Sequence, residues 1–338
     1  QAKRFYGRLG CPERVELVEA PGPHGFGSPL RQAAAAWMRR WLLGIDEPVT
    51  EADVPIRTAG ELACTPRGQV HLLPGLATVF ERHAAEGARQ RERRPRLPAA
   101  ALRTRVRQLV AAPAWAVVPV PQVEVVSRRR RRGLGAEELV LRSGLAPALP
   151  ARLLQPHHWN GTAVLWADGM GRQGAGRAPL ALARQGCRVL LVDLSEVGDP
   201  RRAAVRGGFL AYLLGRSLVG QRVAEVLVCA RYLLQGAPGR PPRQLRLVGT
   251  GEAGPAVLHA AALEPRRFHH TSVRRSLAAW ADLLANTAAP LEQVTQVVCG
   301  ALAVYDLPDL ARLVPAGRLE VLDPVDGAGQ PVPRPEAG

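Results

Sequence analysis

The chain has 338 residues and a formal net charge of +16; 47% of it is hydrophobic and 4% aromatic. That length and apolar content suffice for a sizeable core in one large domain or two smaller ones. No apolar run approaches the roughly 18–20 residues of a membrane-spanning helix, and no signal-peptide pattern is present. The charge invites a nucleic-acid reading. Lys3 is the only lysine, however, so the excess is almost all arginine spread along the chain, with few aromatics for base stacking. On composition alone this argues against a nucleic-acid partner. Five cysteines, widely spaced, form neither a CxxC nor a Cys/His pattern, so neither a metal centre nor a disulfide framework is expected. No cofactor motif stands out, and the compartment is left open.

In chain order, Ala2–Leu9 predicts a helix closed by Gly10, and Val15–Glu19 alternates like a short strand. Pro21–Ser28 reads as a loop carrying His24, and Leu30–Leu43 has the spacing of an amphipathic helix ended by Gly44. Residues 46–115 are expected to be a linker with leading helices: a short strand at Gln69–Leu73, a charged helix or loop at Arg82–Arg96, and a helix at Ala99–Val110.

From residue 116 the pattern turns strand-rich. Val117–Val126 and Glu138–Arg142 read as hairpin arms, with Arg128–Arg132 as a solvated turn between them, because Gly133 and Gly135 punctuate the run. Ala151–Gln155, Thr162–Ala167, Arg188–Asp193, Leu245–Val248, His270–Val273 and Arg318–Leu322 then read as strands. They alternate with helices at Pro179–Gln185, Val219–Leu234, Pro255–Leu263 and Leu277–Leu284. This alternation predicts an α/β fold with a mostly parallel sheet, helices on both faces, and functional loops at the strands' C-terminal ends.

The segment most charged with meaning is Leu245–Gly254, LRLVGTGEAG. A short strand enters a Gly-rich turn, and a small-residue helix follows. It resembles the nucleophile elbow Gly-x-Ser-x-Gly of α/β-hydrolases. Other segments resemble the same superfamily, in its acetyl-xylan-esterase-like and dienelactone-hydrolase-like branches: Glu138–Pro156, Gln185–Asp193 (QGCRVLLVD), Val219–Leu234 before the elbow, and Arg318–Val332 (RLEVLDPVDGAGQPV). YGRLGCPERVELVEAPGPHGF with the following LRQAAAAWMRRWLLG resembles the end of such an enzyme, where the last strand delivers the histidine. The resemblance spans residues 1–45 and about 116–332 and implies carboxylic-ester hydrolysis, with acetylated carbohydrate or a small ester as partner.

Carried over residue by residue, the resemblance puts Gly251 in the serine slot, Asp326 (or Asp323) in the acid position and His24 in the histidine position. Glu252 follows the nucleophile as an oxyanion donor, and Gly169, in Asp168–Gly171, lies in the second donor's region. A register shifted by one instead puts Glu252 at the apex as a carboxylate nucleophile. Each has a plainer reading too: His24 as a solvated loop residue, Asp326 as half of an Asp-Gly turn. The histidine segment also precedes the elbow, whereas a single hydrolase domain runs Ser, acid, His. Two arrangements account for this. In the preferred one, residues 1–45 finish an upstream hydrolase domain and residues 116–338 are a second, degenerate copy; in the other, the chain is circularly permuted. Either way, the missing hydroxyl predicts impaired catalysis, and the alternative is a noncatalytic binding or scaffold domain associated with carbohydrate. His157–His158 and His269–His270 lack a third ligand, and GMGRQGAG lacks the dinucleotide pattern.

Overall fold

A computed structural model of the chain describes residues 1–131, 133–197 and 201–332. The chain divides into two compact units, Gln1–Leu76 and Ala77 onward. The first holds α1 (Ala2–Arg8) and α2 (Ser28–Met38), whose last turns widen into a π-helix over Arg39–Leu43 before Gly44 stops it at φ +71°. An edge-to-face pair, Trp37 and Trp41, marks the apolar side of this helix, and the Arg14 and Arg40 guanidiniums lie over the Trp41 ring. The strands expected at Val15–Glu19 and Gln69–Leu73 do not form. The former is extended without a ladder, and the latter is a 3-10 turn over Val70–Leu72. Alternation alone does not make a strand when no neighbouring backbone takes up its N–H and C=O groups.

The second unit opens with α3 (Val79–Arg93) and α4 (Ala99–Leu109). Thr78 and Glu81 form a reciprocal capping box at the start of α3, which settles the charged stretch as helix. These leading helices belong with the sheet. Arg94 pairs with Asp309, Arg103 donates to the Ala262 and Leu313 carbonyls, and Arg107 reaches Glu264.

The sheet comprises β1 (Gln122–Arg131), β2 (Leu134–Arg142), β3 (Leu149–Pro156), β4 (Thr162–Asp168), β5 (Arg188–Val192), β6 (Gln244–Thr250), β7 (His270–Arg274) and β8 (Leu319–Leu322), in the order β1-β2-β3-β5-β4-β6-β7-β8. The first three strands and β5 pair antiparallel, and β5 through β8 pair parallel. The expected hairpin is there, but the arginine run is not its turn. Arg128–Arg131 extend β1, opposite Leu134–Glu137, and Arg128 pairs with Glu137 at 3.0 Å. A cross-strand carboxylate offsets the charge that made the run look like a turn.

Strand alternation builds two cores. Ala163, Leu165 and Ala167 of β4 face one side with Leu190, Leu245 and Leu247. There they meet α4 and three later helices: α7 (Leu218–Arg231), α8 (Gly254–Leu263) and α10 (Leu307–Leu313). Val164 and Trp166 face the other side with Val189 and Leu191, under α5 (Ala178–Arg184). The remaining helices are α6 (Arg201–Leu213) and α9 (Ala281–Ala285). The helix expected over Leu277–Leu284 is shorter because Leu277 bridges Val325 instead. Among the described residues no helix is long and apolar enough to cross a membrane.

Candidate active site

The elbow is built by close approach. A Cβ on Gly249 would lie 2.8 Å from Val257 Cβ and 3.1 Å from Gly254 Cα, so strand and helix can meet only at glycine. A Cβ on Gly254 would overlap Ser276, at 2.5 Å from its Cβ. Between them Gly251 stands at φ +56°, in the left-handed region, with a 3-10 turn over Gly251–Ala253 leading into α8. Nothing crowds this position: an added Cβ would have Gly169 Cα at 3.9 Å and the Arg275 carbonyl at 4.0 Å as its nearest neighbours. The turn therefore has room for a side chain at its apex and carries none.

Glu252, the next residue, is tied away from the apex. Its Oε2 accepts from Thr295 Oγ1 at 3.1 Å, and its carbonyl accepts from Arg222. Gly169 lies against it, close enough that a Cβ there would come within 2.6 Å of the Glu252 nitrogen. The loop after β4 spends its amides internally. Gly169 N–H donates to the Thr250 carbonyl at 2.8 Å, Met170 N–H to Asp168 Oδ1 at 2.9 Å, and Gly171 N–H to the Asp168 carbonyl at 2.9 Å. An oxyanion hole needs two N–H groups aimed at developing charge. Gly169, expected in the donor region, gives its N–H to the strand instead, and the Asp168 carboxylate takes that of its neighbour.

Asp326 builds its own turn: Oδ1 accepts from the amides of Ala328 and Gln330, both at 2.8 Å, as the Asp-Gly turn reading has it. Asp323 sits at φ +49° directly after β8. The carboxyl of Asp282 is held above its ordinary range by burial first, then by the charges of Asp306 and Asp326. His24 lies exposed in its loop in the first unit. In the second unit His157–His158 and His269 stand where the parallel strands begin, at the opposite end from the elbow. His259, on α8, is fully buried and committed. Its Nδ1 donates to the Pro255 carbonyl at 2.6 Å, since a carbonyl can only accept, and its Nε2 therefore accepts from Tyr305 Oη at 2.7 Å. Burial pushes this imidazole down to about 4. No group of three metal-ligating side chains occurs among the described residues.

Beneath the elbow lies a polar knot that sequence reasoning passed over. Arg222 is fully buried on α7 and donates to the carbonyls of Ser195, Glu196, Glu252 and Thr295 at 2.9–3.4 Å. One turn on, buried Glu225 accepts from Ser195 N at 2.8 Å and from Ser195 Oγ, with Gln221 completing the set. Burial raises the Glu225 carboxyl, and the Ser195 hydrogen bonds oppose the rise. Arg222 thus stitches together the loop after β5, the elbow and the Thr295 segment. The signal was available: Gln221, Arg222 and Glu225 lie within about one turn of a helix that is otherwise apolar up to its last residue, Arg231.

An antiparallel leading edge, a parallel β5-β4-β6-β7-β8 run and a strand–turn–helix elbow at the C-terminal end of β6 together define an α/β-hydrolase fold. One solved structure supports the fold. A Bacteroides fragilis NCTC 9343 protein assigned as an acetyl xylan esterase superposes with a TM-score of 0.57 at 13% identity, covering 74% of this chain and 76% of that one. Acetyl xylan esterase 1 from Thermoanaerobacterium sp. JW/SL YS485 gives 0.48 at 15% identity, covering 72% and 85%. No family model and no curated protein sequence matches the chain.

Proposed function

We propose that the second unit is an esterase-fold domain in which hydrolysis is impaired, and that its elbow rim binds an acetylated carbohydrate or small ester without cleaving it. The observation that carries this is Gly251: the apex of the elbow holds no atom able to attack a carbonyl. Three further features support it. The amides after β4 are spent on Thr250 and Asp168, Glu252 is held by Thr295, and of the histidines near the sheet, His157, His158 and His269 stand at its other end while His259 is locked. The ligand class follows the assignment of the Bacteroides fragilis neighbour. The tandem arrangement, in which His24 serves a serine on a preceding domain, rests on residue order alone, and the coding sequence upstream of Gln1 tests it.

The full chain, assayed with 4-nitrophenyl acetate at pH 7, is expected to match the buffer rate. Turnover abolished by Glu252→Gln would restore the carboxylate nucleophile and sink the proposal. Calorimetric titration with acetylated xylo-oligosaccharides tests the binding half, and an absence of heat at millimolar ligand counts against it.

A further inference from the structure

The parallel strands are polarised by charge. At the elbow side β4 ends on Asp168, and β5, β6 and β8 are followed within two residues by Asp193, Glu252 and Asp323, while β7 ends on Arg274 with Arg275 after it. At their beginnings the sign reverses. Arg240 and Arg243 lead into β6, Arg266 and Arg267 into β7, and Arg318 into β8; at the same end, Arg130 and Arg131 close β1. All of these are exposed. The side chains of Arg130, Arg131, Arg240, Arg266 and Arg318 make no hydrogen bond or ion pair among the described residues. Of the nearby acids, Glu264 is neutralised by Arg107, while exposed Glu320 accepts only from the Ser272 hydroxyl and keeps its charge, so five or more arginines face one free carboxylate. Behind this rim, Arg188 is buried against the Trp159 ring with no carboxylate pairing it among the described residues, and its Nη1 has no partner. A buried cation without a counter-charge adds its field to the rim instead of cancelling it.

Topology sets the scale. From β1, which carries Arg130 and Arg131, to β8 is seven strand steps, about 34 Å at roughly 4.8 Å each. That is about ten base-pair steps of a duplex at roughly 3.4 Å per step. The rim has no fully exposed tryptophan, tyrosine or phenylalanine among the described residues: half-buried Trp159 has its ring covered by Arg188 at 4.3 Å, and the exposed rings are the small imidazoles of His157, His158 and His269, a poor platform for stacking unpaired bases or sugar rings. What remains is a row of guanidiniums suited to phosphate oxygens.

We propose that the N-terminal rim of the parallel sheet is a binding surface for double-stranded nucleic acid, contacting backbone phosphates without reading sequence. The surface lies opposite the elbow and does not depend on the function proposed there. It also runs against the inference drawn from composition, which had no means of placing the arginines on one rim.

The test is fluorescence anisotropy of the full chain with two labelled 20-base-pair duplexes of unrelated sequence. With about five phosphate contacts, affinity should fall about 500-fold between 50 and 200 mM salt, and equally for both duplexes. Arg266→Gln combined with Arg318→Gln should weaken binding about 60-fold at 100 mM salt and lower the salt slope by about two. The matched control, Arg82→Gln with Arg91→Gln, removes the same charge from exposed positions on α3, which packs against α9, and should change binding less than threefold. Circular dichroism melting of each variant confirms folding. The proposal is overturned by no binding at 50 mM salt, or by equal losses in the rim and control variants. Stronger binding to the single strand, or stronger competition per charge by polygalacturonate than by unlabelled duplex, also overturns it.

Discussion

His259 offers a sharp test of the core, because its environment has a calculable consequence. The ring is fully buried in α8, donating to Pro255 and accepting from Tyr305, with the Trp280 ring 5.8 Å away. Burial lowers its pKa from 6.5 to about 4. The unfolded chain therefore takes up a proton between those two values while the folded chain does not. The stability held above about pH 6.5 is lost as pH falls through that window. Linkage sets the loss at roughly 2 kcal/mol by pH 5 and about 3 kcal/mol at pH 4. Exposed histidines titrate as well, so the useful quantity is a difference. His259→Gln costs stability at pH 7 by breaking the Tyr305 bond, and the gap between wild type and variant should narrow by about 2 kcal/mol from pH 7 to pH 5. Urea unfolding of both proteins at pH 7, 6 and 5 measures it. A gap that stays constant with pH would mean that His259 is accessible or already charged, and the packing described for α8 would be wrong.

The elbow supplies a matched pair. Gly254→Ala drives a Cβ into Ser276 and should cost about 1–3 kcal/mol, with Ser276→Gly recovering at least half; additive losses would contradict the contact. Gly251→Ala meets no atom closer than 3.9 Å, so it should cost only the left-handed backbone penalty of about 1 kcal/mol. Gly251→Ser should fold equally well and still show no esterase turnover, since the amides after β4 are spent; activity in that variant would show an intact oxyanion hole. Arg222→Met leaves four carbonyls without their donor and should cost about 3–5 kcal/mol in urea unfolding. A loss under 1 kcal/mol would deny the knot its role.

Much of the parallel core was legible because its strands are short apolar runs bounded by glycine, proline or charge, and its helices carry an obvious period. Thr162–Ala167, Arg188–Asp193 and Leu245–Val248 fall on β4, β5 and β6 for that reason. Position on the sheet was harder to read. Arg128–Arg131 look like a turn until Glu137 is seen across the ladder, and Val15–Glu19 looks like a strand until no partner is found. Two helices escaped notice. In α6, Gly207 and Gly208 interrupt the pattern, while α10 is only seven residues long and announces itself mainly through the Asp306–Asp309 capping box. At the elbow, the small residues could be read from the sequence, but not the spending of the Gly169 and Met170 amides. Those bonds depend on how the β4 loop folds back on Asp168 and Thr250, which no local spacing encodes.

Covalent trapping asks whether the elbow carries a nucleophile. The full chain would be incubated with a fluorophosphonate ester probe and examined by intact-protein mass spectrometry, with a heat-denatured sample as the control for nonspecific labelling. The absence of a side chain at Gly251 predicts no adduct above that control. A stoichiometric adduct mapping to residues 249–254, or to Ser195 or Ser276 beside them, would contradict the account.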